Sequence, residues 1–237
     1  MEIAAIADVH SPKYISEYEE SLKSAKLDKI ELMLFAGDMI YRGKWIEFRR
    51  VINITRRYFR GKIVACFGNE EYEDIVVYLV KSFPEVIWLN DEVLTLNYGG
   101  KTLFIVGTKG VLDRPTKWQR THIPKIHEIY SERLKKISNL LREGKRRGYT
   151  VIILLTHYAP TFKTLVGEPR FAWPEMGSER MEKIVLEVKP DIIIHGHAHN
   201  SKKTFIRLGE TRVYNVALPA THKITMVPLE YGLLKYL

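Results

Sequence analysis

Residues 191–199 read DIIIHGHAH, a short apolar run that ends in three alternating histidines. Runs of about four to eight β-favouring residues that are apolar on both faces are typical of buried central strands. Side chains alternate between the two faces of an extended chain, so histidines two positions apart point the same way. Imidazole is the commonest metal ligand in proteins. The stretch therefore indicates a buried strand that delivers metal-ligating side chains at its end.

Four other stretches share this pattern of an apolar run followed by polar residues: EIAAIADVH (2–10), IELMLFAGD (30–38), KIVACFGNE (62–70) and TVIILLTHY (150–158). Helical stretches are predicted between the runs, at 14–26, 44–60, 71–82, 125–148 and 177–189. Strands that alternate with helices favour an α/β architecture.

Two further segments, 92–107 and 203–230, contain strand pairs around turn signals. The turns are NYGG (97–100), LGET (208–211) and EYG (230–232), and they predict β-hairpins. Mixed strands with helices outside them predict two packed sheets between helical layers. We find no internal repeat and no linker, so we expect a single domain over residues 1–237.

Every one of the five buried strands ends in a polar residue that can bind a metal ion. These residues are Asp8 and His10, Asp38, Asn69, His157, and His197 and His199. Ligand sites in open α/β sheets form at the carboxyl ends of the strands, so five segments are expected to meet at one edge. Each residue alone has an ordinary explanation, such as capping a turn or a helix. Their joint occurrence at five strand ends is hard to obtain by chance.

The ordered set D-x-H, G-D, G-N-x-E, H and G-H-x-H spans residues 8–199 and resembles the calcineurin-like metallophosphoesterases. The resemblance implies an α/β fold, a four-layer αββα sandwich of two mixed β-sheets flanked by helices. It implies a first metal ion bound by Asp8, His10, Asp38 and His199. It implies a second ion bound by Asp38, Asn69, His157 and His197, with Asp38 bridging. His195 lies outside the set, and we expect it to support the strand end.

This donor set suits two divalent cations. A carboxylate can bridge two ions, imidazoles are neutral donors, and an asparagine carbonyl adds no charge. Oxygen and nitrogen ligands without a thiolate suit Mn²⁺, Fe²⁺, Zn²⁺ or Co²⁺, of which Mn²⁺ is favoured. Two ions about 3.5–4 Å apart can generate a bridging hydroxide nucleophile and hold the phosphoryl oxygens. We therefore expect a dinuclear metal-dependent phosphoesterase that hydrolyses phosphodiester or activated phosphoester bonds.

The stretch GNEE (68–71) departs from the family pattern at Glu70. Many members have G-N-H there, and this histidine is thought to protonate the leaving oxygen or to orient the phosphoryl group. Nearby divalent cations favour the ionised form of a carboxylate, and an ionised glutamate cannot donate a proton. Asp38, Asn69 and Glu70 are the predicted catalytic positions.

Three residues are candidates for substrate binding: Arg42, His122 and His222. Arg42 resembles a phosphate-facing arginine of some family members, although arginine at a helix start is usually exposed to solvent. His122 belongs to a basic, aromatic segment at 108–125 that we interpret as an irregular loop. Such a segment suits a nucleotide or a nucleic acid, but a solvated loop with one packed tryptophan fits equally well. His222 follows the strand end NVALPAT.

The chain carries 37 Lys and Arg against 28 Asp and Glu, a net charge of +9. This excess favours anionic partners, such as a phosphorylated small molecule or a nucleotide, although it also serves solubility. A metal-dependent nuclease is an alternative, but no nucleic-acid-binding module is visible. A non-catalytic scaffold of the same fold is another alternative. Enzymatic function is preferred because every ligand position is filled.

Cellular location is predicted from three features of the sequence. Cys66 is the single cysteine, so a disulfide framework is excluded. The first ten residues contain Glu2 and Asp8 where an export signal needs positive charge and an unbroken apolar stretch. No segment approaches about 18 uninterrupted apolar residues, so we expect no membrane span. A cytoplasmic protein is therefore expected, while the oligomeric state and the natural substrate stay open.

Overall fold

The computed structural model of the chain describes residues 1–230. Its strands are β1 (Glu2–Ile6), β2 (Leu32–Ala36), β3 (Lys62–Cys66), β4 (Val86–Leu89), β5 (Glu92–Tyr98), β6 (Lys101–Thr108), β7 (Val151–Thr156), β8 (Ile192–His195), β9 (Phe205–Leu208), β10 (Thr211–Asn215) and β11 (Thr225–Pro228). Its α-helices are α1 (Ile15–Ser24), α2 (Phe48–Tyr58), α3 (Glu73–Ser82), α4 (Lys117–His122), α5 (Ile126–Arg146), α6 (Glu179–Val188) and α7 (Leu218–Thr221). Short 3₁₀ turns occupy Trp45–Glu47, Phe162–Leu165 and Arg170–Glu175.

The strands form two mixed sheets, as the sequence predicts. One has five strands in the order β11-β1-β2-β3-β4, and the other has six in the order β5-β6-β7-β8-β10-β9. Strands β1 to β4 are parallel to one another, and β11 pairs antiparallel with β1. The hairpins predicted around 97–100 and 208–211 are confirmed, since β5 pairs antiparallel with β6 and β9 with β10. The turn predicted at 230–232 extends outside the described residues.

Alternation along the strands divides the interior into three apolar layers. In β2, Leu34 faces the space between the sheets, while Phe35 packs toward α1, α2 and α3. In β7, Ile153 likewise faces the other sheet, and Leu154 packs against α5 and α6. Both faces of these strands are buried because each sheet has the other sheet on one side and helices on the other. The four-layer αββα architecture is confirmed.

The segment 108–125 is not wholly irregular, which corrects the sequence interpretation. It contains α4, which begins with a capping box in which Thr116 and Gln119 each bond the backbone of the other. The short spacing of this motif within a polar stretch conceals it in the sequence. Trp118, on this helix, is 59% exposed and is therefore not the packed tryptophan of the alternative interpretation.

Helix α5 is amphipathic. Its Ile137 and Leu141 are buried against the six-stranded sheet, and its outer face is basic. Among residues 1–230, no helix combines the length and the apolar character that crossing a bilayer requires.

Phe48 on α2 lies in the apolar core between the five-stranded sheet and its helices. Its ring is fully buried and lies 4.9 Å from the ring of Phe83 and 5.0 Å from that of Trp88, measured between centroids. We expect Phe48→Ala to lower the free energy of unfolding by about 3–5 kcal/mol, because it removes buried surface and leaves a cavity. Urea denaturation measures this loss. The matched change at the 79% exposed Phe171 should stay within about 0.5 kcal/mol, and equal losses for the two variants would contradict the assignment.

Candidate metal centre

The predicted ligands lie at the carboxyl ends of strands from both sheets. Asp8 and His10 follow β1, Asp38 follows β2, Asn69 follows β3, His157 follows β7, and His197 and His199 follow β8. The two sheets come together at this edge, where the N–H of Ala7 donates to Val216 at 3.1 Å and the N–H of Leu218 donates to Ala7 at 2.9 Å. One edge of the sandwich thus collects side chains from five strands.

The backbone turns sharply at several of these residues. Asp8, His10, Asp38 and His197 have φ values of 60°, 43°, 52° and 70°, in the left-handed region. Aspartate and histidine occupy this region more readily than most residues that have a side chain. Backbone strain of this kind concentrates at functional sites, where surrounding contacts maintain it.

Asp8, His10 and His199 form the first cluster of ligand atoms. Nε2 of His199 lies 2.9 Å from Oδ1 of Asp8, and Nε2 of His10 lies 3.5 Å from the same oxygen. The two imidazole nitrogens are 3.4 Å apart. The backbone N–H of His197 donates to Oδ2 of Asp8 at 2.8 Å. The protein backbone therefore satisfies one oxygen of Asp8, while the other faces the imidazoles.

Asp38, His157 and His197 form the second cluster, and Asn69 lies beside it. Nε2 of His157 is 3.0 Å from Oδ1 of Asn69. On the other side of the ring, Nδ1 of His157 donates to the carbonyl of Ala36 at 2.9 Å. This hydrogen bond holds the ring so that Nε2 faces the cluster, as is usual for metal-binding histidines.

Asp38 belongs to the second cluster and also reaches the first. Its Oδ2 atom is 3.3 Å from Nε2 of His157 in the second cluster and 3.8 Å from Nε2 of His10 in the first. Its Oδ1 atom accepts the backbone N–H of Glu70 at 2.7 Å. A single buried carboxylate is thus within reach of both clusters.

Opposite charges stabilise one another within this buried group of side chains. Burial disfavours ionisation of Asp8, but hydrogen bonds from His10 and His199 hold its pKa well below the ordinary value. Burial also opposes ionisation of Asp38, whose pKa is nevertheless lowered, mainly by the charge of His157. Burial acts to lower the pKa of His157, yet Asp38 raises it to about 9. Ionised buried carboxylates that require positive charge nearby provide an environment suited to cations.

Two glycines allow these carboxylates to approach the backbone. A Cβ atom at Gly68 would lie 2.1 Å from Oδ1 of Asp38, and one at Gly196 would lie 2.4 Å from Oδ2 of Asp8. Real Cβ contacts are not this short, so any other residue would displace the carboxylate. The close approach of these carboxylates therefore explains why glycine precedes both Asn69 and His197.

The residues present fit two divalent cations. The first cluster offers a carboxylate oxygen and two imidazoles, and the second offers a carboxylate oxygen, two imidazoles and an amide oxygen. Burial and the charge of His157 lower the pKa of His197 to about 3, so its imidazole is neutral and offers a lone pair. His157, whose pKa is raised, would release its Nε2 proton on binding an ion. Cys66 is buried between the sheets and adds no thiolate, since burial raises its pKa.

The sequence model of the calcineurin-like phosphoesterases matches residues 1–201. The chain belongs to the calcineurin-like phosphoesterase family. A search of curated proteins found no match.

Solved structures resemble this phosphoesterase over nearly its whole length. Phosphopantetheinyl hydrolase (PptH) from Mycobacterium tuberculosis is 14% identical, with 98% of each chain covered and a TM-score of 0.69. A dimetal phosphatase from Danio rerio is 9% identical, with a TM-score of 0.59 and coverage of 91% of this chain and 86% of its own. The NAD nucleotidase NadN of Haemophilus influenzae is 16% identical, with a TM-score of 0.58 over 96% of this chain. The phosphoesterase spans 49% of NadN, about half its length. At these identities the likeness shows the fold.

Glu71 has a structural role in the phosphoesterase that the sequence does not reveal. Its buried carboxylate accepts four backbone N–H groups: those of Asp38, Gly68, Met39 and Ile40, at 2.8, 2.7, 2.8 and 3.3 Å. Burial and then the charge of Asp38 raise its pKa to about 7, against the hydrogen bonds from Gly68 and Asp38, which lower it. Nearby divalent cations favour the ionised form. Glu71 joins the loops that carry Asp38 and Asn69. The G-N-x-E motif includes this residue without indicating its function.

We expect Glu71→Gln to lower both stability and metal affinity. The amide nitrogen is a donor, and it would face N–H groups that are also donors and would lose their acceptor. One such loss costs about 1–3 kcal/mol of unfolding free energy. Loosened support of ligands typically costs about 10- to 100-fold in metal affinity. Urea denaturation and Mn²⁺ titration measure the two effects. Glu73→Gln removes the same charge from an exposed neighbour and should change neither stability nor Mn²⁺ affinity. A Glu71→Gln variant that also leaves both unchanged would refute this role.

Glu168 is a second residue that sequence reasoning missed. It is only 7% exposed, and its two carboxylate oxygens accept the backbone N–H and the side-chain amide of Asn200 at 2.7 and 2.9 Å. Asn215 also donates to Ala198 at 2.7 Å. These bonds fix the loop on both sides of His199. Since Glu168 lies 32 residues from Asn200 in a loop without a recognisable motif, the sequence carries no signal for this contact.

The candidate substrate residues have different surroundings. Arg42 lies at the site, because its backbone N–H donates to the Glu70 carboxylate at 2.5 Å. His122 is stacked on Trp118 with ring centroids 4.8 Å apart, and its Nδ1 bonds the Trp118 carbonyl. His222 bonds the carboxylate of Glu17 at 2.6 Å. Neither of these histidine contacts involves a residue of the two clusters.

His195 belongs to neither cluster of ligand atoms. It is fully buried, and its Nδ1 donates to the carbonyl of Gly196 at 2.8 Å. Burial lowers its pKa to about 4, so the ring is neutral. A neutral, buried ring at the end of β8 agrees with a supporting role.

Proposed function

We propose that the protein is a dinuclear metal-dependent phosphoesterase that hydrolyses phosphodiester or activated phosphoester bonds, with Mn²⁺ as the favoured ion. The observation that carries this proposal is the position of Asp38. Its carboxylate, a member of the second cluster, lies within 3.8 Å of a histidine nitrogen in each of the two clusters. We assign Asp8, His10, Asp38 and His199 to one ion and Asp38, Asn69, His157 and His197 to the other.

The structural neighbours support the substrate class. Their names describe a phosphopantetheinyl hydrolase, a dimetal phosphatase and an NAD nucleotidase. We extend to this chain the chemistry that these names share, hydrolysis of phosphorylated small molecules or nucleotides. The net charge of +9 suits such anionic substrates.

Different side chains of the site would bind the ions and the phosphoryl group. When bound, the ions activate water and neutralise charge on the phosphoryl oxygens. Asn69 and the neutral His197 provide lone pairs without negative charge, so they do not repel an anionic substrate. The Arg42 guanidinium lies 5.0 Å from the centre of the Tyr41 ring, and that ring packs edge-on against His10. Arg42 thus offers a planar, charged donor for a phosphoryl oxygen beside the first cluster.

Metal analysis followed by a substrate panel tests the proposal. We expect about two ions per chain, and turnover of an aryl phosphodiester that depends on Mn²⁺ and disappears with a chelator. The panel should include mono-, di- and cyclic phosphoesters together with single- and double-stranded nucleic acid. Faster cleavage of nucleic acid than of every small diester would identify a nuclease. Bound metal without turnover on any substrate would identify a scaffold and refute the proposal.

A further inference from the structure

The environment of Glu70 assigns it a role that its position in the sequence does not reveal. The residue is fixed beside the bridging carboxylate, because its N–H donates to Oδ1 of Asp38 at 2.7 Å. Its own carbonyl accepts the N–H of Gly43 at 3.0 Å. Its backbone thus bonds the side chain of Asp38 and the backbone of Gly43, and these two hydrogen bonds hold Glu70 at the inner rim of the site.

The Glu70 side chain turns toward the metal-binding clusters. A carboxylate oxygen of Glu70, a nitrogen of His10 and an oxygen of Asp38 all lie within 4.8 Å of one another. His10 belongs to the first cluster and Asp38 to the second, so this third group of ligand atoms joins the two. Glu70 thus occupies the junction of the clusters, on the side of His10.

The lone pairs of this carboxylate are largely unused. Oε2 accepts the backbone N–H of Arg42 at 2.5 Å, and this is the only hydrogen bond to the carboxylate within residues 1–230. No lysine or arginine among those residues forms an ion pair with it, so pairing with a basic side chain does not explain its orientation. Oxygen donors of this kind suit Mn²⁺ well.

We propose that Glu70 is an additional ligand of the ion held by Asp8, His10, Asp38 and His199. This inference rests on the proposed dinuclear function. The first ion would then have three carboxylates and two imidazoles, whereas the second has one carboxylate, two imidazoles and an amide. The two ion sites therefore differ in charge, and the first is better suited to Mn²⁺ than it would be with histidine at position 70.

Calorimetric titration of the metal-free chain with Mn²⁺ tests the assignment. Wild type should bind two ions. Glu70→Gln should raise the dissociation constant of one of them by at least about tenfold, because even the outer partners of metal ligands contribute 10- to 100-fold. The other constant should change much less. Glu73→Gln removes a nearby carboxylate that is 68% exposed and pairs with Lys109, and it should leave both constants unchanged.

The results separate the inference from the proposed function. Wild type that binds fewer than two ions would overturn the dinuclear proposal itself. Two ions bound equally well by wild type and Glu70→Gln would overturn only the role of Glu70. A crystal structure of the Mn²⁺-loaded wild-type chain decides the question without any variant. A Glu70 oxygen at coordination distance from the ion supports the assignment, and a side chain turned away from both ions refutes it.

Discussion

Replacing Asp38 with alanine should remove essentially all hydrolysis and weaken both ion sites together. Its carboxylate is 1% exposed and reaches His10 and His157 in separate clusters, so its loss affects both groups of ligands. Removal of a single donor to a developing oxyanion costs about 10²–10³-fold in other enzymes. The loss of a ligand shared by two ions should cost at least about 10³-fold in kcat. Steady-state turnover of an aryl phosphodiester and metal content of the purified variant give the two readouts.

The exposed Asp28 provides the matched control. Asp28→Ala removes the same carboxylate from the surface and should keep wild-type turnover and metal content. Circular dichroism distinguishes lost chemistry from lost folding. An Asp38→Ala protein that is folded and fully active would contradict the dinuclear mechanism.

The second large effect concerns the leaving group. We expect the wild-type enzyme to cleave aryl esters, diesters and anhydrides far better than alkyl phosphomonoesters. The Glu70 carboxylate accepts the backbone N–H of Arg42 and faces the ligands of the site, and in the proposed role of metal ligand it holds no proton for the leaving oxygen. General acid catalysis is worth about 10²–10⁴-fold, or roughly 3–5 kcal/mol at about 1.4 kcal/mol per decade. An enzyme without it should show rates that fall steeply as the pKa of the leaving group rises.

The variant Glu70→His places a titratable donor at this position and should make the dependence on the leaving group shallower. His122 and His222 are the other candidate donors, but they bond Trp118 and Glu17 instead. Glu73→His introduces the same imidazole at an exposed neighbour and should leave the slope unchanged. If the wild-type slope is already shallow and Glu70→His does not alter it, the idea of a missing acid is wrong. His122→Ala and His222→Ala would then be the next variants.

Much of the fold can be predicted from the sequence because its signals are local. Apolar runs such as TVIILLTHY (150–158) are short, β-favouring and apolar on both faces, and these properties indicate a strand buried between two layers. The order of strands and helices then limits the architecture, and the hairpin turns identify the antiparallel edges. The capping box of α4 is also local, but two polar residues three positions apart are a weak signal inside a basic, polar stretch.

The positions of the candidate ligands follow from the same local signals. Parallel strands of one sheet place their carboxyl ends at a common edge, so Asp8 and Asp38, which follow the adjacent strands β1 and β2, are expected near each other. His157 follows a strand of the other sheet, and the packing of the two sheets brings it to the same edge. Their order along the chain carries the family resemblance. The sequence alone therefore determined which strand ends supply the site and which residue types they present.

The directions of individual side chains were decided only by the tertiary structure. Glu70 and Glu71 are adjacent and chemically identical, yet one faces the ligand clusters and the other is buried under four backbone N–H groups. Glu71 bonds Asp38 across 33 positions, and Glu168 bonds Asn200 across 32, and neither contact has a local pattern. Such directions depend on loop conformations, including the left-handed φ values of Asp8 and Asp38, that distant segments stabilise. Periodicity specifies the strands because it is local, whereas the inner surface of the site forms only when separate loops pack against one another.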